Sequence, residues 1–178
     1  GVFKPVTFGD YNADGRADAL IQTSKMVEVT PGSYRATPVL QIWRGEEGGM
    51  FSLAVDDLPA ANFGAVAWGD FNNDGLLDAA FNGYYTYGST VIYHVSVTKI
   101  YQQKPDGSFM DSGIRFDPLG WGPIAAVDLD RDNDLDLFYA GKPSHTGVVP
   151  YYAARWGINR TADAGDAGLN RPNTPPWP

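Results

Sequence analysis

Residues 70–78 read DFNNDGLLD, and the chain contains two further versions of this stretch. The first version is DYNADGRAD at residues 10–18, and the third is DLDRDNDLD at residues 128–136. Their first residues lie 60 and then 58 positions apart. Self-similarity at a long, nearly constant period is typical of repeat proteins. The sequence therefore predicts three structural units of one design.

Each version places oxygen-bearing side chains at its first, third, fifth and ninth positions. Calcium binds roughly 6–8 oxygen atoms from carboxylates, amides, backbone carbonyls and water. We expect the odd positions of a tightly curled loop to converge on one cation, with the seventh residue contributing its backbone carbonyl. Up to three calcium ions are predicted, with the ligands Asp10, Asn12, Asp14, Arg16 and Asp18; Asp70, Asn72, Asp74, Leu76 and Asp78; and Asp128, Asp130, Asp132, Asp134 and Asp136.

The sixth position of each version suits a sharp turn. The first two copies have Gly15 and Gly75 there, and glycine adopts a positive φ most easily. The third copy has Asn133, and asparagine is the residue type that most often replaces glycine in this conformation. The loops offer no thiolate or imidazole, so zinc and copper are poor fits. One such cluster alone could be an ordinary polar turn, but three copies favour a metal site. An EF-hand needs a Glu at position 12, where this chain has Ile21, Phe81 and Tyr139.

These residues resemble the FG-GAP (or VCBS) repeat, the calcium-binding blade of integrin-alpha-like β-propellers. The resemblance is carried by the Asn-x-Asp-Gly-x-x-Asp core and by the lead-ins Phe8-Gly9-Asp10 and Trp68-Gly69-Asp70. It covers roughly residues 3–160, and it implies a four-stranded blade per repeat with the calcium loop joining the first two strands. The third copy departs from the family pattern, because Val127 precedes its loop and Asn133 stands in place of glycine.

We predict an all-β fold with three blades at about residues 1–60, 61–119 and 120–160, followed by a Gly/Ala and then Pro-rich linker or tail at residues 161–178. Residues 25–37 and 84–88 are predicted as longer excursions between second and third strands. Propellers usually close with four to eight blades. We therefore expect further blades, either from a longer form of the same protein or from a homo-oligomer such as two copies giving six blades.

Charge and composition narrow the class of partner. The formal net charge is −8, which argues against nucleic acid, and 11 of the 21 acidic residues lie inside the three repeated stretches. Three bound calcium ions would bring the net charge to about −2, so most of the negative charge is accounted for by the predicted metal sites. No apolar run is long enough for membrane insertion. No signal segment stands at Gly1, so any such peptide is expected to have been removed or to lie outside this sequence.

The sequence favours a binding protein over an enzyme. It has no Gly-x-Ser-x-Gly elbow, phosphate-binding loop or His-Glu-x-x-His pattern, so no catalytic residue is predicted. Tyr84, Tyr85 and Tyr87 form the best candidate contact for a protein or glycan ligand, because Gly83 and Gly88 bracket them as an exposed loop.

The hypothesis favoured from sequence is a secreted or cell-surface module for adhesion or ligand binding, in which calcium is structural. Sites of modest affinity suit the high calcium outside cells, which supports an extracellular location. One alternative is an accessory or catalytic propeller of a polysaccharide-active enzyme. Another is a structural subunit of a surface assembly.

Overall fold

A computed structural model describes residues 4–87, 93–114, 116, 118–129, 131, 133–143, 145–146 and 155–159. Within these ranges thirteen strands form three antiparallel sheets, which confirms the all-β prediction. One 3-10 turn, Glu47–Gly49, interrupts the strands. None of the described residues forms a helix of the length and apolar character that crossing a membrane requires.

Sheet 1 is a simple meander of four neighbouring strands. Its strands are β1 (Val6–Gly9), β2 (Asp18–Thr30), β3 (Ser33–Gly45) and β4 (Phe51–Pro59). The predicted excursion at residues 25–37 is wrong, because β2 and β3 stay paired out to Thr30 and Ser33. A two-residue turn at Pro31 and Gly32 joins them, and Gly32 has the positive φ of +78° that a tight turn of this kind needs.

Sheet 2 places β6 between β5 and β7. Its strands are β5 (Val66–Gly69), β6 (Asp78–Tyr87), β7 (Tyr93–Gln103) and β8 (Phe109–Asp111). The outer edge of β7 is shared, because β8 pairs with it beside Tyr101 and β12 (His145–Thr146) pairs with it beside His94. A strand from the third repeat thus completes the second sheet.

Sheet 3 is built around β11. Its strands are β9 (Leu119–Gly120), β10 (Ile124–Val127), β11 (Asp136–Pro143) and β13 (Arg155–Asn159). β10 and β13 pair with β11, and β9 pairs with the far end of β11 at Lys142 and Pro143.

Sheet 2 packs between the other two sheets, with alternate side chains directed to opposite faces. Core 1, between sheets 1 and 2, contains Leu20, Leu40, Ile42 and Leu58 together with Val66, Ala79, Phe81 and Tyr101. Core 2, between sheets 2 and 3, contains Ala67, Ala80 and Ile100 together with Leu119, Ile124, Leu137 and Tyr139. The strands that precede the three repeated stretches are β1, β5 and β10, and they lie side by side, since β5 contacts both β1 and β10.

Two buried side-chain amides tie each sheet to the next. Nε2 of Gln22, in sheet 1, donates to the carbonyls of Ala61 and Asn82 at 2.9 Å each. Nδ2 of Asn82, in sheet 2, donates to the Gly122 carbonyl at 3.1 Å. Gln22 and Asn82 both stand twelve positions after the first residue of their repeated stretch, where the third repeat has Ala140.

Candidate functional site

The three repeated stretches form loops at corresponding places, joining β1 to β2, β5 to β6 and β10 to β11. Strand pairing continues to the base of each loop, at Gly9–Asp18, Gly69–Asp78 and Val127–Asp136. The first and ninth positions of each loop are therefore brought to the same end of their sheet. We call these residues 10–18, 70–78 and 128–136 loops 1, 2 and 3.

Loop 1 curls around its own carboxylates. Asp10 accepts hydrogen bonds from the backbone N–H groups of Asp14 at 2.9 Å and Gly15 at 2.8 Å. Asn12 Oδ1 also accepts from the Asp14 N–H, and Asp14 Oδ1 accepts from the Arg16 N–H at 2.9 Å. The side chains of the first, third and fifth positions thus fold toward the inside of one tight turn. The Arg16 guanidinium also pairs with the Asp14 carboxylate at 2.8 Å.

Loop 2 repeats this arrangement bond for bond. Asp70 accepts from the N–H groups of Asp74 at 3.1 Å and Gly75 at 2.8 Å. Asn72 Oδ1 accepts from the Asp74 N–H, and Asp74 Oδ1 accepts from the Leu76 N–H at 2.9 Å. Because Leu76 stands where loop 1 has its arginine, the guanidinium of loop 1 has no counterpart at this position of loop 2.

Loop 3 shares one of these bonds in the part that the structure describes. Asp128 accepts from the sixth-position N–H of Asn133 at 3.2 Å, as in loops 1 and 2, whereas its other described bond, at 2.7 Å, comes from the fourth-position N–H of Arg131. The Asn73 amide of loop 2 donates to the Asp134 carboxylate, which joins the two loops. The predicted ligands Asp130 and Asp132 lie outside the described residues.

Two positions of every loop have left-handed backbone. At the sixth position φ is +82° for Gly15, +85° for Gly75 and +73° for Asn133, as the turn prediction requires. At the fourth position φ is also positive, in Ala13, Asn73 and Arg131. The sequence prediction missed the positive φ at the fourth position, since alanine and arginine are not residue types that indicate a left-handed backbone. Three different sequences thus share left-handed backbone at these two positions.

The ninth-position aspartates are buried ties between elements, a role that the sequence prediction did not include. Asp18, Asp78 and Asp136 are at most 3% exposed. One carboxylate oxygen of Asp78 accepts from the N–H of Phe71, the second loop residue, at 3.2 Å. Its other oxygen accepts from the N–H of Gln103, the last residue of β7, at 2.9 Å.

Asp18 repeats this double contact in sheet 1. It accepts from the Tyr11 N–H at 3.0 Å and from the N–H of Gly45, the last residue of β3, at 2.7 Å. Asp136 accepts from the Leu129 N–H at 3.0 Å. In loops 1 and 2 the ninth residue therefore fastens the start of its loop to the end of a third strand.

The electrostatics of loop 2 favour a cation. The pKa of Asp78 is raised to about 6, mainly by burial and to a smaller extent by the nearby carboxylates of Asp74 and Asp70, against the lowering effect of its hydrogen bonds from the Gln103 and Phe71 N–H groups. Burial and the neighbouring carboxylates disfavour the charged form of this carboxyl group. A bound cation would act on Asp78 in the opposite direction.

The donor set fits a hard cation in its chemistry, although the oxygens are hydrogen-bonded to the backbone. Among the residues that the structure describes, no group of three or more His, Cys, Asp or Glu side chains lies in a metal-ligating arrangement. A carboxylate has about four acceptor sites, so an oxygen that accepts an N–H bond retains capacity for a metal. Carboxylates, one amide oxygen and a backbone carbonyl are the ligands that calcium takes.

The predicted exposed loop at Tyr84–Tyr87 is wrong. All four residues belong to β6 and pair with Tyr93–Ser96 of β7, so the β-branched and aromatic run continues the sheet. Tyr84 is only 6% exposed, and Tyr85 packs against core 1. The side chain of Tyr87 lies outside the described residues.

The residue partly covering Tyr84 is an exposed aromatic that the sequence prediction did not select. Phe63 stacks on Tyr84 with ring centroids 5.1 Å apart, and Trp121 meets both rings edge-on. Phe63 and Trp121 are 42% and 48% exposed, and each precedes a glycine, Gly64 or Gly122. An aromatic residue followed by glycine occurs at both places, 58 residues apart like the second and third loops, and this repeated pair could have identified the two positions from the sequence.

Comparison of the chain with protein-family models and with curated proteins finds no match. The functional argument therefore depends on the chain's own geometry. That geometry offers two features, the three loops and the exposed aromatic rings at the opposite end of the β5–β6 pair.

Proposed function

We propose that this chain is an extracellular, calcium-stabilised binding module made of β-propeller blades of the FG-GAP/VCBS type, with a protein or glycan ligand and no catalytic role. The observation that carries the proposal is the conformation common to loops 1 and 2, which loop 3 shares in part. Loops 1 and 2 have the same hydrogen bonds from backbone N–H groups to the side chains of their first, third and fifth residues, and loop 3 shares the bond from its sixth residue to its first and the positive φ at its fourth and sixth positions. Unrelated polar turns would not converge in this way.

The first, third and fifth side chains and the seventh carbonyl are the proposed calcium ligands of each loop. In loop 2 these are Asp70, Asn72, Asp74 and the carbonyl of Leu76. Asp78 lies at the base of the same loop, and we assign it mainly to holding the loop against β7. Bound calcium would neutralise the carboxylates that crowd each loop, and its role would be structural.

Calcium titration by isothermal calorimetry tests this proposal. The expected result is calcium binding with up to three sites, weakened when Asp74 is replaced by Asn. Asp57→Asn is the matched control, because Asp57 is an exposed acid on β4 outside the loops. Binding that is absent in the wild type, or equally weakened by both variants, would overturn the assignment.

A second candidate function, a subunit of a surface assembly, is favoured by the outer face of sheet 1. Residues directly opposite each other on paired strands share a face, and Phe8, Ala19, Trp43 and Leu53 form such a row across sheet 1. Phe8 is 59% and Leu53 is 45% exposed.

The equivalent row of sheet 2 is not exposed in this way. Trp68, Ala79 and Tyr101 form it, and these residues pack against sheet 1 in core 1. We propose that a further sheet of the same design covers the outer face of sheet 1, supplied by a second copy of this chain. Light scattering tests this proposal: a dimer that Phe8→Glu converts to a monomer supports it, and a monomer at high concentration contradicts it.

A further inference from the structure

The aromatic cluster consists of Phe63, Tyr84, His94 and Trp121, with Lys142 beside it. His94 meets Tyr84 edge-on at 4.8 Å and lies nearly parallel to Trp121 at 6.4 Å. The cluster lies at the end of β5 and β6 opposite to loop 2, because the Asn62–Tyr84 bridge continues their pairing away from that loop. Calcium binding and the cluster are therefore separate features of the same sheets.

Phe63 and Trp121 are held in a backbone conformation that bulky residues rarely adopt. Their φ angles are +55° and +62°, and the chain bulges at both positions just before β5 and β10. The next residue must be glycine, because a Cβ on Gly64 would lie 1.8 Å from the Asn82 carbonyl oxygen and one on Gly122 would lie 2.0 Å from that of Ala140. The bulge thus explains the positive φ at positions 63 and 121, but it does not explain why the residues there are aromatic.

Glycine or asparagine would adopt this conformation with less strain than Phe or Trp. The rings are only partly buried, since Phe63 is 42% and Trp121 is 48% exposed. Strained backbone retained at exposed aromatic residues is a sound starting point for a functional hypothesis. Two such residues at equivalent positions of adjacent repeats point to one site.

The cluster presents an exposed aromatic side chain near a cation. Phe63 stacks on Tyr84 with an interplanar angle of 11°, so Tyr84 covers one face of its ring, and the residue remains 42% exposed. Lys142 Nζ lies 4.6 Å from the centroid of the Trp121 ring. The backbone beneath the lysine is anchored, because the Ser96 hydroxyl donates to the Lys142 carbonyl at 2.9 Å.

We propose that this cluster binds an acidic sugar residue of a glycan, with the sugar ring stacked on Phe63 beside Trp121 and its carboxylate or sulfate paired with Lys142. The inference deepens the proposed function, on which it rests, by naming the site and the class of ligand. Aromatic faces accept the apolar face of a sugar ring. A single lysine matches the one negative charge of an acidic sugar ring, whereas nucleic acid binding calls for a broad basic patch.

The first experiment titrates the protein, in calcium, with oligogalacturonate, with a sulfated galactan oligosaccharide and with neutral cello-oligosaccharide. The expected result is binding of at least one acidic oligosaccharide at least tenfold tighter than the neutral one. The first two probes distinguish carboxylate from sulfate as the recognised group. Lys142→Met, which keeps most of the length of the side chain without its charge, is expected to abolish the preference for the acidic probe.

The second experiment separates binding from stability. Phe63→Asn and Trp121→Asn remove a ring and relieve the strained φ, so we expect at least tenfold weaker sugar binding with Tm unchanged or higher by about 2–4 °C. Tyr34→Ala is the matched control, because Tyr34 is an exposed aromatic, 59% accessible, on the remote β2–β3 hairpin. This control is expected to bind like the wild type.

Three results would overturn the inference: no acidic oligosaccharide binds, binding survives both asparagine variants, or both variants lower Tm by more than about 5 °C, which would assign the rings to the fold. Failure of the calcium proposal gives a different signature. In that case calorimetry detects no calcium binding, while sugar binding still depends on Phe63 and Trp121. If instead calcium binds and no sugar does, the aromatic site alone is refuted.

Discussion

Replacing Asn82 with alanine measures how firmly sheet 3 is held to sheet 2. The Asn82 side chain is fully buried, and its Oδ1 accepts the Ala65 N–H at 2.8 Å while its Nδ2 donates to the Gly122 carbonyl at 3.1 Å. Both backbone groups lose this partner in the variant. An unpartnered group costs about 1–3 kcal/mol, and because both groups are only partly enclosed we expect a total of about 3 kcal/mol. For a chain of this length, that loss lowers Tm by about 6–12 °C.

Differential scanning calorimetry measures the Tm, and hydrogen exchange locates the effect. The Ala140 N–H, which bonds to the Pro123 carbonyl in sheet 3, should exchange faster in the variant than in the wild type. Gln102→Ala is the control, because it removes a similar amide from a half-buried position of β7. A Tm change below about 2 °C in Asn82→Ala, with unchanged exchange at Ala140, would refute the idea that this amide couples the two sheets.

Three further predictions follow from the loops, the bulge and core 1. Calcium at about a hundred times its Kd should raise the free energy of unfolding by about 2.7 kcal/mol for each site that it fills, which corresponds to a rise in Tm of about 5–10 °C for one site. The same Tm in calcium and in chelator would contradict a structural role for calcium. Gly64→Ala should lower Tm by more than 10 °C or prevent folding, because the added Cβ would lie 1.8 Å from the Asn82 carbonyl oxygen. A Tm equal to that of the wild type would contradict this prediction and show that the backbone at Phe63 and Gly64 can shift to accept a Cβ. Burial raises the pKa of Tyr101 to about 12, above the unfolded value of about 10, so the stability it contributes is complete below pH 10 and is lost as pH rises toward 12. Urea unfolding should therefore show a loss of about 2 kcal/mol over that range, and an equal loss in Tyr101→Phe would assign it to other groups.

The all-β fold and the position of the loops were predictable because both depend on local, repeated sequence. The turn residues Gly15 and Gly75 mark their own backbone conformation, and strands follow each loop as the alternation indicates. The errors arose where polar or aromatic residues were taken for loops. Pro31-Gly32 was a sufficient signal for a tight hairpin, and the run from Tyr84 to Tyr87 has the aromatic composition of a strand.

The contacts between repeats could not be predicted, because they join residues that are distant in sequence. Gln22 reaches a carbonyl 60 residues away, and Asp78 accepts a bond from the end of a strand 25 residues away. Nothing in the local sequence shows whether Asp78 binds a metal or instead accepts hydrogen bonds that hold its loop to β7. The repeated Phe-Gly and Trp-Gly pairs mark Phe63 and Trp121 as equivalent positions, but the sequence does not show that the fold brings their ring centroids to 6.2 Å from each other.

The amide links have a fixed direction, which bears on how such a chain can grow during evolution. Gln22 reaches forward from sheet 1 to sheet 2, and Asn82 reaches forward from sheet 2 to sheet 3. In both cases the acceptors are backbone carbonyls, which every repeat possesses whatever its side chains. A gene duplication that copies one repeat therefore copies its connector as well, and the new neighbour needs no matching mutation. The third repeat has Ala140 at this position, so a single substitution such as Ala140→Asn would give it a side-chain amide where the first two repeats have theirs.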